Sequence, residues 1–384
     1  MNKKLMALAV AGAFAAPTAA LAQASNVQIY GTMYVEYGYV HQGAIAAGSL
    51  VNGDQIQTPG SSVGFKGEEA LGGGLTAWFQ CESTAAPSGA SASAAGGVWC
   101  GRNSALGMKG SWGNAFVGNW DTPFKRAVGI KYATDTGFWG ASSLLFGNSG
   151  STLNRGNPGV WSRRENQTFF YDSPTFSGFA ISGAVSTPTA ATQISVTSNT
   201  SGAKARLWSL GATYTNGPLY IGAGYENHAN FYPSGASFAG NDNAWMLSAR
   251  YQFGPVEVGA VYTKQKYETT PTTNADVSAW SLVGSWAIQG PHVLQLGYTK
   301  ANDTKGNFVG VVGNRVYNGG IGQTGANLWL AEYQYWFSKR TRASIGFSRV
   351  SNDNFAAYSI MGFTAPTQGG SNQDGIGFAL KTTF

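Results

Sequence analysis

Apolar and polar positions alternate with period two along most of the chain. From Gly375 to Phe384, Ile376, Phe378, Leu380, Thr382 and Phe384 share one face, and Gly377, Ala379, Lys381 and Thr383 share the other. In Val27 to Val40 the odd positions read Val27, Ile29, Gly31, Met33, Val35, Tyr37 and Tyr39, while Gln28, Thr32 and Glu36 fall among the even ones. Around Gly254, Trp245, Leu247, Ala249, Tyr251 and Phe253 oppose Met246, Ser248, Arg250 and Gln252; Val256, Val258, Ala260 and Tyr262 then oppose Glu257, Gly259 and Val261. Alternation over about ten residues predicts strands long enough to cross hydrocarbon at a tilt, one face toward lipid and one toward a polar interior. The consecutive Phe169, Phe170 and Tyr171 break the rule and leave the facing of their strand open.

The connections sort by length. Short turns of Gly, Pro, Asn and Ser fall at Leu71 to Gly74, Ser111 to Asn114, Ser173 to Gly178, Asn216 to Pro218, Phe253 to Pro255, Gln289 to Pro291 and Phe337 to Arg340. Long polar segments run between them, about His41 to Gly60, Ser83 to Trp99, Asp121 to Trp161, Ser186 to Lys204, Ala229 to Asn243, Glu268 to Asp276, Asn302 to Gly325 and Asp353 to Gln373. These bound sixteen strands with both ends of the meander on the short-turn side. Segregated turn lengths predict an all-β, sixteen-stranded antiparallel transmembrane barrel with short periplasmic turns and long outer loops. Tyr214, Tyr220, Tyr251, Trp286, Tyr335 and Trp336 near strand ends are read as interfacial girdles. A β-sandwich with an aromatic core is the competing reading, and sixteen strands fit it poorly.

Composition agrees. Only 11% of residues are charged and 54 are glycine, against about 25% charged and about 7% Gly in ordinary domains. Met1 to Ala22 carries Lys3 and Lys4, an apolar stretch, Pro17 and an Ala20-Leu21-Ala22 ending, the pattern of a cleaved secretory signal rather than a retained helix. Residues 23–384 then form one barrel domain, since no Pro-rich or Ser-rich linker divides them. The net charge of +6 becomes +4 without Lys3 and Lys4, and its scatter argues against nucleic acid as a partner. Cys81 and Cys100 flank one loop in an exported chain, so a disulfide is expected rather than a metal site. No cofactor, metal or catalytic residue is expected. His41, His228 and His292 are far apart and read as surface residues at loop margins, and no nucleophile elbow or His-x-x-x-His pair is present.

Several motifs are specific: Val27-Gln28-Ile29-Tyr30-Gly31; Ser62-Val63-Gly64-Phe65-Lys66-Gly67-Glu68-Glu69 followed by Leu71-Gly72-Gly73-Gly74-Leu75; Tyr171-Asp172-Ser173-Pro174 before Phe176-Ser177-Gly178-Phe179; and Lys381 to Phe384. With them the chain resembles the general porins of Gram-negative outer membranes, most closely the betaproteobacterial and Neisseria branch. The resemblance implies a homotrimer in the outer membrane among its lipids and lipopolysaccharide, a third loop (121–162) folded inward as a constriction, and passive diffusion of ions and small hydrophilic solutes. It also implies that Phe384 belongs to a signal read by the barrel-assembly machinery. The chain departs from the family where Gly118-Asn119-Trp120 stands in place of a Gly-Arg-Gln, which removes a basic lumen residue.

Between Asp121 and Glu165 the basic residues Lys125, Arg126, Lys131, Arg155, Arg163 and Arg164 outnumber Asp121, Asp135 and Glu165. Parity turns Lys66, Lys109, Arg250, Arg342 and Lys381 inward, together with Glu36, Glu68, Glu82, Glu226, Glu257 and Glu332. The wall nearly cancels, so the loop is expected to set selectivity as a weak anion preference. Two alternatives remain: a substrate-specific channel, with Phe138, Trp139 and Phe146 as a stacking surface, and an outer-membrane hydrolase or adhesin.

Overall fold

The computed structural model describes residues 27–43, 52–88, 99–135, 137–147, 160–187, 205–231, 240–270, 272–307, 311–312, 315–316, 322–363, 366 and 369–384. The expected export signal and Arg155 lie outside the described residues.

The strands are β1 (Gln28–Gln42), β2 (Asn52–Gln57), β3 (Ser62–Gly72), β4 (Leu75–Thr84), β5 (Ser104–Gly110), β6 (Gly113–Asp121), β7 (Arg164–Asp172), β8 (Phe179–Ser186), β9 (Arg206–Asn216) and β10 (Leu219–Phe231). They continue with β11 (Gly240–Phe253), β12 (Val256–Thr270), β13 (Thr273–Ala287), β14 (His292–Ala301), β15 (Lys305–Gly306), β16 (Val311–Val312), β17 (Arg315–Val316), β18 (Ala326–Trp336), β19 (Thr341–Asn352) and β20 (Gln373–Thr383). Sixteen of them, β1, β3 to β14 and β18 to β20, close one antiparallel barrel. β20 returns to β1 from Thr32↔Thr383 to Gln42↔Gln373, and Phe384 exchanges backbone hydrogen bonds with Gly31 at 3.1 Å. Closure leaves no unpaired edge for lipid to meet. β2 continues the ladder of β3 along the upper half of β1, from Glu36↔Gln57 to His41↔Asn52.

The barrel is inside out relative to a water-soluble domain. Leu106 is 68% exposed on the outer face, whereas Glu36 is 1% exposed within. Where Phe169, Phe170 and Tyr171 left the facing open, the structure turns Phe170 inward to stack on Phe116 at 4.8 Å and leaves its two neighbours outside. The short turns lie where the sequence places them; Gly217 and Gly254 adopt φ of 53° and 57°, which tight hairpins require. One loop is corrected. The segment Glu268 to Asp276 is not a long loop, because β12 runs to Thr270, β13 starts at Thr273, and the ladder reaches Thr270↔Thr273. Polar threonines still favour extended backbone, so pairing outruns the apolar band.

Cys81 and Cys100 form the disulfide across a sequence separation of 19, with Cα atoms 4.7 Å apart. Cys100 donates its N–H to Ser83 Oγ at 2.9 Å, and Arg102 meets Glu82 at 2.6 Å. Closing a loop of that length is worth about 3 kcal/mol in the chain-entropy account. The double variant Cys81→Ser/Cys100→Ser should therefore melt at a clearly lower temperature in detergent. An unchanged midpoint would mean that Arg102–Glu82 and the ladder already fix the segment.

Candidate functional site

The third loop leaves β6 and runs through the barrel, carrying three short helices: α1 (Pro123–Arg126), α2 (Lys131–Thr134) and α3 (Ser142–Phe146). Thr122 caps α1 by accepting from the Lys125 N–H, and Pro123 starts the helix where its missing N–H costs nothing. Wall residues hold the loop at every stage. Ser209 Oγ accepts from Phe124 N at 3.0 Å, and Tyr220 and Ser248 donate to Ala127 O at 2.9 and 3.2 Å. Glu36 Oε2 accepts from Phe138 N at 2.8 Å, Ser348 donates to Phe138 O at 2.8 Å, and Gln265 donates to Leu145 O at 2.5 Å. Tyr132 donates to Glu332, and Trp161 donates to Tyr267 at 2.8 Å on the returning arm.

A row of glycines makes the seat. Gly38, Gly377 and Gly346 are register partners on β1, β20 and β19. A Cβ on Gly377 would lie 2.7 Å from Phe138 Cδ1, one on Gly38 2.5 Å from Phe363 Cζ, and one on Gly346 2.5 Å from Trp139 Nε1. Bare backbone at these three positions lets the loop's aromatic pair rest against the wall. From above, Ser143 donates to Ser359 O at 3.2 Å, Phe363 packs edge-on to Phe138 at 5.9 Å, and Ala356, Tyr358, Ile360 and Met361 are buried.

Beside this seat lies a lumen cavity of about 320 Å³, with Tyr34, Lys131, Tyr132, Asp135, Trp336 and Arg342 among its lining residues. Most of the predicted pore charges near it are paired. Arg342 meets Glu332 at 3.0 Å, Arg250 meets Glu257 at 2.7 Å, and Arg126 makes a two-pronged bridge to Asp172 at 2.7 and 2.9 Å. Asp121 takes both Lys125 at 2.8 Å and Arg164 at 3.3 Å. Burial pulls the Lys125 ammonium below the usual lysine range, an effect that Asp121 opposes and Arg164 reinforces. Burial and then Glu332 push the Tyr132 hydroxyl well above the usual tyrosine range, so it stays a donor.

These pairings change the charge reading. The loop's apparent excess of cations is absorbed by Asp121, Asp172 and Glu165, all three of them strand residues at the loop's two ends or beyond. Among the described residues, Lys131 is the loop cation without a carboxylate within ion-pair distance. Lys381 of the wall lies next to it and over the Tyr34 ring at 5.3 Å, with Arg342 close by. Arg163 does not face the open lumen, being 2% exposed and bridged to Glu165 at 2.6 Å.

Other expectations are corrected as well. His228 is not a surface residue: it is fully buried, 3.0 Å from Glu226, with Trp161 stacked on it at 4.2 Å. Tyr220 and Trp336 are not girdle residues; their parity turns them inward, where Tyr220 reaches the loop and Trp336 lines the cavity. Phe138 and Phe146 are buried and do not line the cavity, and Trp139, though only 3% exposed, meets the cavity with one edge, so the three do not form a common stacking surface. Sequence reading missed the cavity's aromatic walls and the glycine seat, although the glycines at 38, 346 and 377 on inward-facing positions were a visible signal.

Comparison with known proteins gives a consistent picture. The sequence profile of a family described as Gram-negative porin matches residues 7–354. The major outer membrane protein P.IB of Neisseria meningitidis serogroup B is 31% identical over 234 residues, covering 59% of this chain and 60% of the relative. The P.IB of Neisseria lactamica is 29% identical over 223 residues, covering 57% of each. The chain thus spans about three-fifths of the length of these relatives. Among solved structures, an anion-selective porin from Comamonas acidovorans superposes with a TM-score of 0.72 at 20% identity, over 94% of this chain and 100% of that one. OmpT of Vibrio cholerae in its trimer form superposes with a TM-score of 0.64 at 16% identity, over 94% and 100%.

Proposed function

The chain belongs to the Gram-negative porin family, and we propose that it forms a water-filled outer-membrane channel through which ions and small hydrophilic solutes diffuse, with a weak preference for anions. A closed sixteen-strand barrel is wide enough to leave an aqueous lumen, where eight strands would be filled by side chains. The third loop, seated across that lumen, narrows the path beside the cavity. The observation that carries the anion preference is the adjacency of Lys131 and Lys381, two cations without ion-pair carboxylates among the described residues. Asp135 opposes them, Glu36 also lines the cavity but is turned to the Phe138 N–H and Gln57 Nε2, and the paired Arg342–Glu332 and Arg250–Glu257 add little net charge. That asymmetry raises the local anion concentration without closing the path to cations.

The solved relative from Comamonas acidovorans is itself an anion-selective porin, which supports the same sign. The OmpT trimer supports a homotrimer, in which each barrel conducts separately. Removal of residues 1–22 on export and recognition of the β20 strand ending at Phe384 by the assembly machinery complete the reading. No step of it is catalytic. Planar-bilayer recording in a potassium chloride gradient tests it: stepwise openings should appear, with a reversal potential displaced toward chloride. Clear cation selectivity would overturn the assignment.

A further inference from the structure

The inner wall carries an aromatic patch that the third loop does not cover. Trp78 on β4, Gly107 on β5, Phe116 on β6 and Phe170 on β7 are register partners in a single row across four strands. Phe170 stacks on Phe116 at 4.8 Å, and Trp120, next to last in β6, meets Phe116 at 5.4 Å and Trp78 at 5.8 Å, both edge-on. The ladder to β7 slips between Gly118 and Trp120, and this bulge brings Trp120 onto the same patch. Gly107 makes room for the other indole, since a Cβ there would lie 2.7 Å from Trp78 Cε2. Bare backbone lets that ring lie across β5, and Asn114 Oδ1 holds it by accepting from Trp78 Nε1 at 2.7 Å.

Among the described residues, no part of the loop packs here. The cluster of Phe116 and Phe170 with Trp78 and Trp120 is separate from the one that joins loop to wall. The loop's backbone is anchored instead on β1, β9, β10, β11, β12 and β19. Phe116 and Phe170 are buried, whereas Trp78 and Trp120 are half-buried, so the surface that the patch presents is indole. The lumen of such a barrel is polar, and indole facing its water is stabilised when a solute covers it. The rim of the patch is polar and nearly neutral. Glu82 holds Arg102 at 2.6 Å, Asp172 holds Arg126 at 2.7 Å, and Asp121 holds both Lys125 and Arg164. Lys66, across the ladder from Gln80, is turned to the Tyr30 ring. These groups keep hydrogen-bonding capacity while their charges cancel.

We propose that Trp78 and Trp120 form a stacking platform for neutral pyranose sugars moving along the lumen. The proposal rests on the channel reading and adds a solute class to it. A pyranose has apolar C–H faces and a rim of hydroxyls that both donate and accept. Its face covers the indoles while its hydroxyls reach the carboxylates and guanidiniums around them. A flat aromatic solute would cover the indoles but leave the rim groups facing an apolar edge. A small inorganic anion has no apolar face to cover them, and the paired rim offers it little attraction.

The test is planar-bilayer recording of the full folded protein in potassium chloride with cellobiose added to both sides. Conductance should fall along a saturating curve, whereas sorbitol, an acyclic polyol with no ring face, should lower it only in proportion to viscosity. W78L/W120L should still open in potassium chloride and should raise the half-saturating cellobiose concentration about tenfold. W120Q alone should raise it by a smaller factor, and W329L, exposed on the outer wall, should leave it where it was. The platform is overturned if cellobiose shows no saturation in a conducting channel, or if the double variant keeps the wild-type value. It is equally overturned if benzyl alcohol saturates as cellobiose does, with the same dependence on the two tryptophans. Tryptophan fluorescence in detergent separates the two readings: a cellobiose-induced change in the wild type that W78L/W120L lacks would uphold the platform even if no ion steps appeared and the channel reading failed.

Discussion

Leucine at Gly377 is expected to lower the single-channel conductance markedly while the barrel still assembles. The Gly377 position faces the loop, and even a Cβ there lies 2.7 Å from Phe138 Cδ1. The wall cannot give way, because β20 is laddered to both β1 and β19 along its length. Phe138 cannot rise either, since Phe363 packs against it from above. Its ring is left with the lumen as the direction of escape, and the loop tip moves toward the pore axis. Overpacking of this kind costs about 1–3 kcal/mol, which such a laddered barrel tolerates. The second variant decides the cause. Gly377→Leu combined with Phe138→Ala removes the clashing ring and should return conductance toward the wild-type value, a coupling that independent sites would not show. Unchanged conductance in Gly377→Leu alone would refute the seat.

The other large effect is on charge selection. Lys131→Glu replaces a cation of the cavity by an anion next to Lys381, so the local field changes by two charges. Across about 6 Å of water each charge is worth ~0.7 kcal/mol, and two give roughly tenfold in relative ion occupancy before screening. Salt near 0.1 M, with a screening length of about 10 Å, trims this to several-fold. The reversal potential in a salt gradient should therefore cross from the chloride side to the potassium side. Arg163→Gln, equally basic by sequence, should leave it where it was, because that guanidinium is buried against Glu165. If the two variants behaved alike, selectivity would follow the loop's total charge and not its unpaired members.

That contrast marks where the sequence is legible. Strand faces are read from a period that depends only on neighbours two residues apart, so Glu36, Arg250, Glu257, Arg342 and Lys381 could all be turned inward without coordinates. Turn positions follow in the same way from local Gly, Pro and Asn. The charge state of the constriction does not, because Arg126 is neutralised by Asp172, 46 residues away, and Arg342 sits over Tyr34 on a strand from the other end of the chain. Loop and wall charges counted separately both look unbalanced or neutral for reasons that vanish once they meet. His228 shows the same limit. Its position near a strand end suggests solvent, but the returning arm of the loop lays Trp161 over it. The Glu268 to Asp276 segment failed differently, since a polar strand top and a loop have the same composition.

The segment after β19 has a consequence for what the cell displays. It is counted among the surface loops, yet Ala356, Tyr358, Ile360, Met361 and Phe363 point away from the exterior and cover the constriction loop. An antibody or phage approaching from outside can grip this stretch only by its backbone and its few outward side chains. Changes that let a bacterium escape such recognition are then confined: they can alter the displayed side chains freely, but a substitution on the covered side disturbs permeation at the same stroke.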